Sequence, residues 1–226
     1  MISPEPTEVR LLRHRWNRLT EIWVAYNTFL RREVEIGADK VCLNGGVVTQ
    51  TTHTLLLMYY SHLYSLFDRA GINFADATQA IQVSLPADTR EVREKILALW
   101  SKIENPVTRI RHNVGFHGAR AEDFHRDGIS QLQRFHPLVP EALMGYLRVF
   151  FRQLEMSFSG ARPLNPSAGA NVHNLLEYAK SLEKESEKPF DETPEHMLAR
   201  YGISPEGYRA LMIAIMSADD SDEAPN

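Results

Sequence analysis

The chain has 226 residues, 43% of them apolar, which is enough for one substantial core and a small appendage. Its 25 Lys and Arg against 29 Asp and Glu leave a formal net charge of -4, which excludes a protein that holds nucleic acid by a diffuse positive field and confines any such contact to a local patch. Cys42 is the one cysteine, Met1 to Arg10 has no secretory apolar core, and the longest apolar run, Leu55 to Tyr60, is far too short to span a membrane, so a cytoplasmic protein with no transmembrane segment is expected.

Apolar side chains at Val9, Leu12, Trp16, Leu19, Trp23, Tyr26 and Leu30 alternate steps of three and four and predict a long amphipathic first helix. Arg10, Arg13, Arg15, Arg18, Arg31 and Arg32 fall mostly off that stripe, and the first four read as a solvated face, with an extended RNA-binding surface as the alternative. Asn44-Gly45-Gly46 is a turn, and a second helix follows over about Val48 to Ala70, apolar on nearly every side and stopped by Gly71. Pro86-Ala87-Asp88 opens a third helix carrying Val92, Ile96, Leu99, Trp100 and Ile103. Asn105-Pro106 reads as the N-cap and first residue of a short fourth helix, with Val107, Ile110 and Val114 facing inward.

Gly118 to Pro140 reads as a loop with room for one helical turn, and Glu141 to Phe158 as a fifth helix. Proline, glycine and serine between Arg162 and Gly169 mark a linker, after which Asn171 to Lys188 is a charged helix. Thr193-Pro194-Glu195 and Ser204-Pro205-Glu206 are two further helix starts. The predicted organisation is all-α: an antiparallel helical bundle over 1–160, a linker over 161–170, a small helical segment over 171–218, and an acidic, disordered tail over 219–226.

Between Asn105 and Ala121 stand Arg109, Arg111, His112, His117 and Arg120, without one acidic residue. In an acidic chain this is the strongest local cationic segment. On a regular helix Arg111 and His117 flank the apolar face on opposite sides, about 120° apart with roughly 9 Å of rise between them. Residue type alone leaves two readings open. Arg111 and His117 serve a site, or the arginine pairs with a carboxylate of a neighbouring helix and the histidine fills a core edge.

The run Arg111-His112-Asn113-Val114-Gly115-Phe116-His117 resembles the signature of HEPN domains, an arginine and a polar residue followed by a histidine after four to six intervening positions. The helical bundle around it resembles that family over about Val9 to Phe158, and His62 to Phe67 with the long first helix is most similar to its abortive-infection-associated branches. The resemblance implies a metal-independent endoribonuclease, acting as a toxin or anti-phage effector, whose two motifs face each other in a homodimer. It also implies RNA as substrate, an antitoxin or other regulatory protein as partner, and no cofactor. His117 would be the general base and Arg111 the phosphate clamp, with Arg109, His112, Asn113 and Arg120 binding substrate. Where some members carry a tyrosine two residues beyond the histidine this chain has Ala119, so modification at that position is not implied. A non-catalytic dimeric module that binds RNA, nucleotide or protein is the alternative within the same family.

Other chemistries have weaker support. His112 and His117 are five apart and His53 and His62 nine apart, neither the i, i+4 pair of a helical zinc site, and His14, His125, His136, His173 and His196 read as surface or loop residues. Cys42 reads as small buried filler. Trp16, Trp23 and Trp100 lie on apolar stripes and read as core.

Overall fold

A computed structural model describes residues 5–31, 45–113, 130–158 and 172–189. Cys42, Asn44, Val114, His117, Arg120, the linker over 161–170, the helix starts at Thr193 and Ser204, and the tail over 219–226 lie outside the described residues. The described residues are helical, with no strand among them. In chain order the helices are α1 (Thr7–Arg31), α2 (Gly45–Phe67), α3 (Phe74–Ala80), α4 (Ala87–Asn113), α5 (Leu138–Ser157) and α6 (Val172–Ser186), with short 3-10 turns at Gln82–Ser84 and Gln131–Gln133. They fall into two compact units, one drawn from Met1–Thr20 and Tyr60–Phe190, the other from Glu21–Tyr59 and Asp191–Asn226.

In the second unit, Tyr26 and Leu56 are buried and the rings of Tyr26 and Tyr59 lie parallel with centroids 6.1 Å apart. Trp23, expected in the core, is half-buried. In the first unit, Val9, Leu12, Trp16 and Leu19 put the α1 stripe inside as its spacing predicts.

The rings of the first unit form one connected series. Trp16 of α1 stacks on Phe151 of α5 at 5.1 Å, and Phe150 meets Phe74 of α3 edge-on at 5.0 Å. Phe74 touches Phe67 of α2 at 5.5 Å, and Phe67 stacks on Trp100 of α4 at 4.3 Å. Five helices thus share one aromatic core, with α4 packed on α5 and α5 on α6.

The short fourth helix is corrected. Residues 87–113 are one helix, with Pro106 inside it and not at its start. An interior proline forfeits a backbone hydrogen bond and crowds the preceding turn, at about 3 kcal/mol. The helix continues because Ile103, Val107 and Ile110, on the same stripe as Ile96, Leu99 and Trp100, are all at most 1% exposed. Three such side chains, at about 1.5–3 kcal/mol each, outweigh the proline.

The arginine face of α1 is corrected in part. Arg10 and Arg18 are exposed, but Arg13 is buried and donates Nε and Nη2 to Glu5 at 3.0 and 2.8 Å. Hydrogen bonding to Glu5 raises the Arg13 pKa despite its burial. Arg15 donates Nη1 to the carbonyls of Ser65 and Ile72 at 2.8 and 2.6 Å, satisfying acceptors at the end of α2 and just past it. Residues 74–80, which carry no periodic signal, form α3. Asn73 caps it, accepting from the Asp76 amide at 2.9 Å and donating to the Asp76 carboxylate at 2.7 Å.

The helix expected beyond the linker packs against α5 within the first unit. A Cβ on Gly145 would stand 2.9 Å from the Ala179 Cβ, so only glycine permits this approach. Glu183 of α6 accepts from the Tyr146 hydroxyl at 2.5 Å and from Lys95 at 3.0 Å. Burial, and then the neighbouring Glu183, push the Tyr146 hydroxyl far above the ordinary tyrosine range. Burial alone would raise the Glu183 carboxyl, but hydrogen bonds from Tyr146 and Lys95 and the charges of Lys95 and Lys102 outweigh it, leaving the pKa lowered.

Both shifts favour neutral Tyr146 beside ionised Glu183. The stabilisation from Glu183 is present above its ordinary value of 4.5 and is lost as pH falls through the lower folded value. That from Tyr146 is present below its ordinary value of 10.0 and is lost as pH rises toward the raised one. Urea denaturation across pH should therefore show a plateau that declines on both sides. Tyr146→Phe should lower the plateau by about 1–2 kcal/mol and flatten its alkaline edge; an unchanged alkaline edge would remove Tyr146 as its cause.

Candidate functional site

Helix α4 places the cationic segment. Its buried stripe runs through Val107 and Ile110, so residues 109, 111, 112 and 113 are carried around the remaining circumference. Arg109 and His112 are exposed; Arg111 and Asn113 are half-buried. Lys102 and Asn105 lie on the same exposed face as Arg109 and His112, at spacings of three, four and three. Between Lys95 and Asn113 the only carboxylate on α4 is Glu104, which is not on that face.

Arg111 is held by a ring. Its Cζ lies 4.4 Å from the centroid of Tyr64 on α2, a cation–π contact. Tyr64 in turn meets Trp100 edge-on at 6.4 Å and His112 edge-on at 6.3 Å. Through Trp100 and Phe67 the Arg111 side chain is therefore continuous with the aromatic core of the first unit. Among the described residues no carboxylate pairs with Arg111, whose contact there is the Tyr64 ring.

The structure therefore brings Arg111, His112 and Tyr64 together at one end of the ring series. Arg109 and Asn113 sit within two residues of Arg111 on α4. His117 and Arg120 lie outside the described residues, so their distances to Arg111 are not part of this geometry. Tyr64 was missed as a site residue because it stands 47 positions before Arg111; the available signal was only its place in the run His62 to Phe67.

Such an arrangement suits an anion. A guanidinium held over a ring face, and not by a carboxylate, can keep N–H donors for a phosphate, and exposed Arg109 and Lys102 lie along the same helix. Among the described residues no cluster of three His, Cys, Asp or Glu could hold a metal ion, and no described helix is long and apolar enough to cross a membrane. No protein-family model, curated protein or solved structure matches the chain.

Proposed function

We propose that this protein is a metal-independent endoribonuclease of HEPN type, acting in the cytoplasm as a homodimer in a toxin or anti-phage defence system. The observation that carries the reading is Arg111, kept half-exposed over Tyr64 among cationic side chains and six residues before a histidine. Arg111 binds the scissile phosphate and stabilises the charge that develops on it. His117 takes the proton from the ribose 2′-hydroxyl, whose oxygen attacks the adjacent phosphorus and expels the 5′-oxygen of the next nucleotide. The products are a 2′,3′-cyclic phosphate and a 5′-hydroxyl. Arg109, His112, Asn113 and Arg120 hold the flanking strand, and a two-fold axis brings Arg111 of one protomer toward His117 of the other. An antitoxin or other regulatory protein is the expected partner.

The test is cleavage of a defined single-stranded RNA by purified protein in excess EDTA, with the ends identified chemically. Cyclic-phosphate ends produced without metal are the expected result. Intact RNA at all protein concentrations would leave the non-catalytic binding module as the better reading.

A further inference from the structure

We infer that Tyr64 is a positioning residue for Arg111, holding the guanidinium by one face so that its in-plane donors stay turned to the RNA phosphate. This deepens the nuclease reading and rests on Arg111 being the phosphate-binding group. The contrast with other arginines of the molecule carries it. Arg13 spends two donors on Glu5, Arg15 donates to two carbonyls, and buried Arg93 donates to Thr78, Ala75, Gln79 and Glu94. Each of those side chains is occupied through the N–H groups that a phosphate would need.

Arg111 is fixed in another way. Its described contact is the Tyr64 ring, 4.4 Å from Cζ. Met face to face, a ring attracts the cation through its π-face and uses none of the five N–H donors, which radiate in the guanidinium plane. A carboxylate partner would take two donors and offset the charge. The ring therefore limits the side chain's freedom while leaving both charge and donors to the ligand, which lowers the ordering cost of binding.

Tyr64 is itself braced. Trp100 and His112 each meet it edge-on, and Trp100 is stacked on Phe67. Anchorage thus runs from the buried core of α2 and α4 to a half-exposed cation.

The test uses the full chain and a 2′-O-methylated single-stranded RNA, which cannot be cleaved by 2′-hydroxyl attack, with binding followed by fluorescence anisotropy at several salt concentrations. Tyr64→Phe, which keeps the ring, should bind within about twofold of wild type, whereas Tyr64→Leu should weaken binding by about fivefold or more. Arg111→Ala should weaken binding and reduce the salt slope by about 0.7, the loss of one phosphate contact. Tyr64→Leu combined with Arg111→Ala should bind no more weakly than Arg111→Ala alone, because the two side chains act as one unit.

Additive effects in the double variant, or wild-type binding by Tyr64→Leu, would overturn the inference. A second measurement needs no substitution of Tyr64: the Arg111 Nε–H resonance should be shielded by the ring and shift on adding the RNA. An unshielded resonance would also overturn it, as would failure of the wild type to bind the RNA at all. If binding depends on Arg111 and Tyr64 as stated but unmodified RNA is not cut, the nuclease reading fails and the positioning role stands.

Discussion

Replacing His117 or Arg111 with alanine is expected to reduce RNA cleavage by at least about 100-fold each, with the double variant scarcely worse than either single one. The size follows from the roles. A positioned general base contributes on the order of 10²–10⁴-fold, and a donor aimed at developing negative charge about 10²–10³-fold. Groups serving one transition state are strongly non-additive, so losing the second after the first has little left to remove. Arg109→Ala should behave differently, because Arg109 is exposed on α4 and the proposed reading gives it a binding role only. Its effect should appear in KM and in a shallower salt dependence, with kcat close to wild type. Single-turnover and steady-state rates at two salt concentrations separate these outcomes; full cleavage by both His117→Ala and Arg111→Ala would remove the assignment.

Arg93→Ala is the stability change with the largest expected effect, about 3 kcal/mol of unfolding free energy. Arg93 is 5% exposed and donates to Thr78 Oγ1 at 2.7 Å and to both the Ala75 carbonyl and Gln79 Oε1 at 3.1 Å. Its ion pair with Glu94 is the smaller component, since the Glu94 side chain is 61% exposed and such pairs are worth at most about 1 kcal/mol. The loss comes from α3, whose acceptors lose a charged donor in a place water does not readily refill. Glu94→Gln should therefore cost under about 1 kcal/mol, and Arg93→Lys should recover little, because one ammonium cannot reproduce the guanidinium fork. Guanidinium titration measures all three. Equal losses for Arg93→Ala and Glu94→Gln would show that the ion pair, and not the α3 acceptors, is what matters.

Periodicity made most of the helical scaffold legible. The stripe Val9, Leu12, Trp16, Leu19 is buried as its spacing requires, and the apolar middle of α2 supplies buried Leu56, Leu63 and Leu66. Pro106 was misleading because Asn105-Pro106 has the chemistry of a helix start, yet Ile103, Val107 and Ile110 continue the earlier stripe without a phase break. A phase kept across a proline is evidence for one helix, and burial decides it. Helix α3 has seven residues, too few for a periodic signal; its one local mark was Asn73 three residues before Asp76.

The site was legible in part. Arg109, Arg111 and His112 stand in the cationic run and Asn113 in the motif that the chain resembles, and their placement on one long helix follows from the same stripe. The ring that holds Arg111 was not legible, because pairing between α2 and α4 is a tertiary contact that no local pattern encodes. Arg13, Arg15 and Arg93 make the same point. Local sequence does not mark them as buried, because their acceptors are Glu5 eight residues away, carbonyls 50 and 57 residues away, and a helix 14–18 residues upstream.

The central claim is that Arg111 and His117 act on one phosphate across a two-fold contact, and co-expression of differently tagged Arg111→Ala and His117→Ala chains tests it most directly. The purified mixed dimer holds one intact arginine–histidine pair and should recover about half of the wild-type cleavage rate, while each parental dimer stays inactive. A mixed dimer as inactive as its parents, or a wild-type protein that cuts RNA as a monomer, would contradict the account.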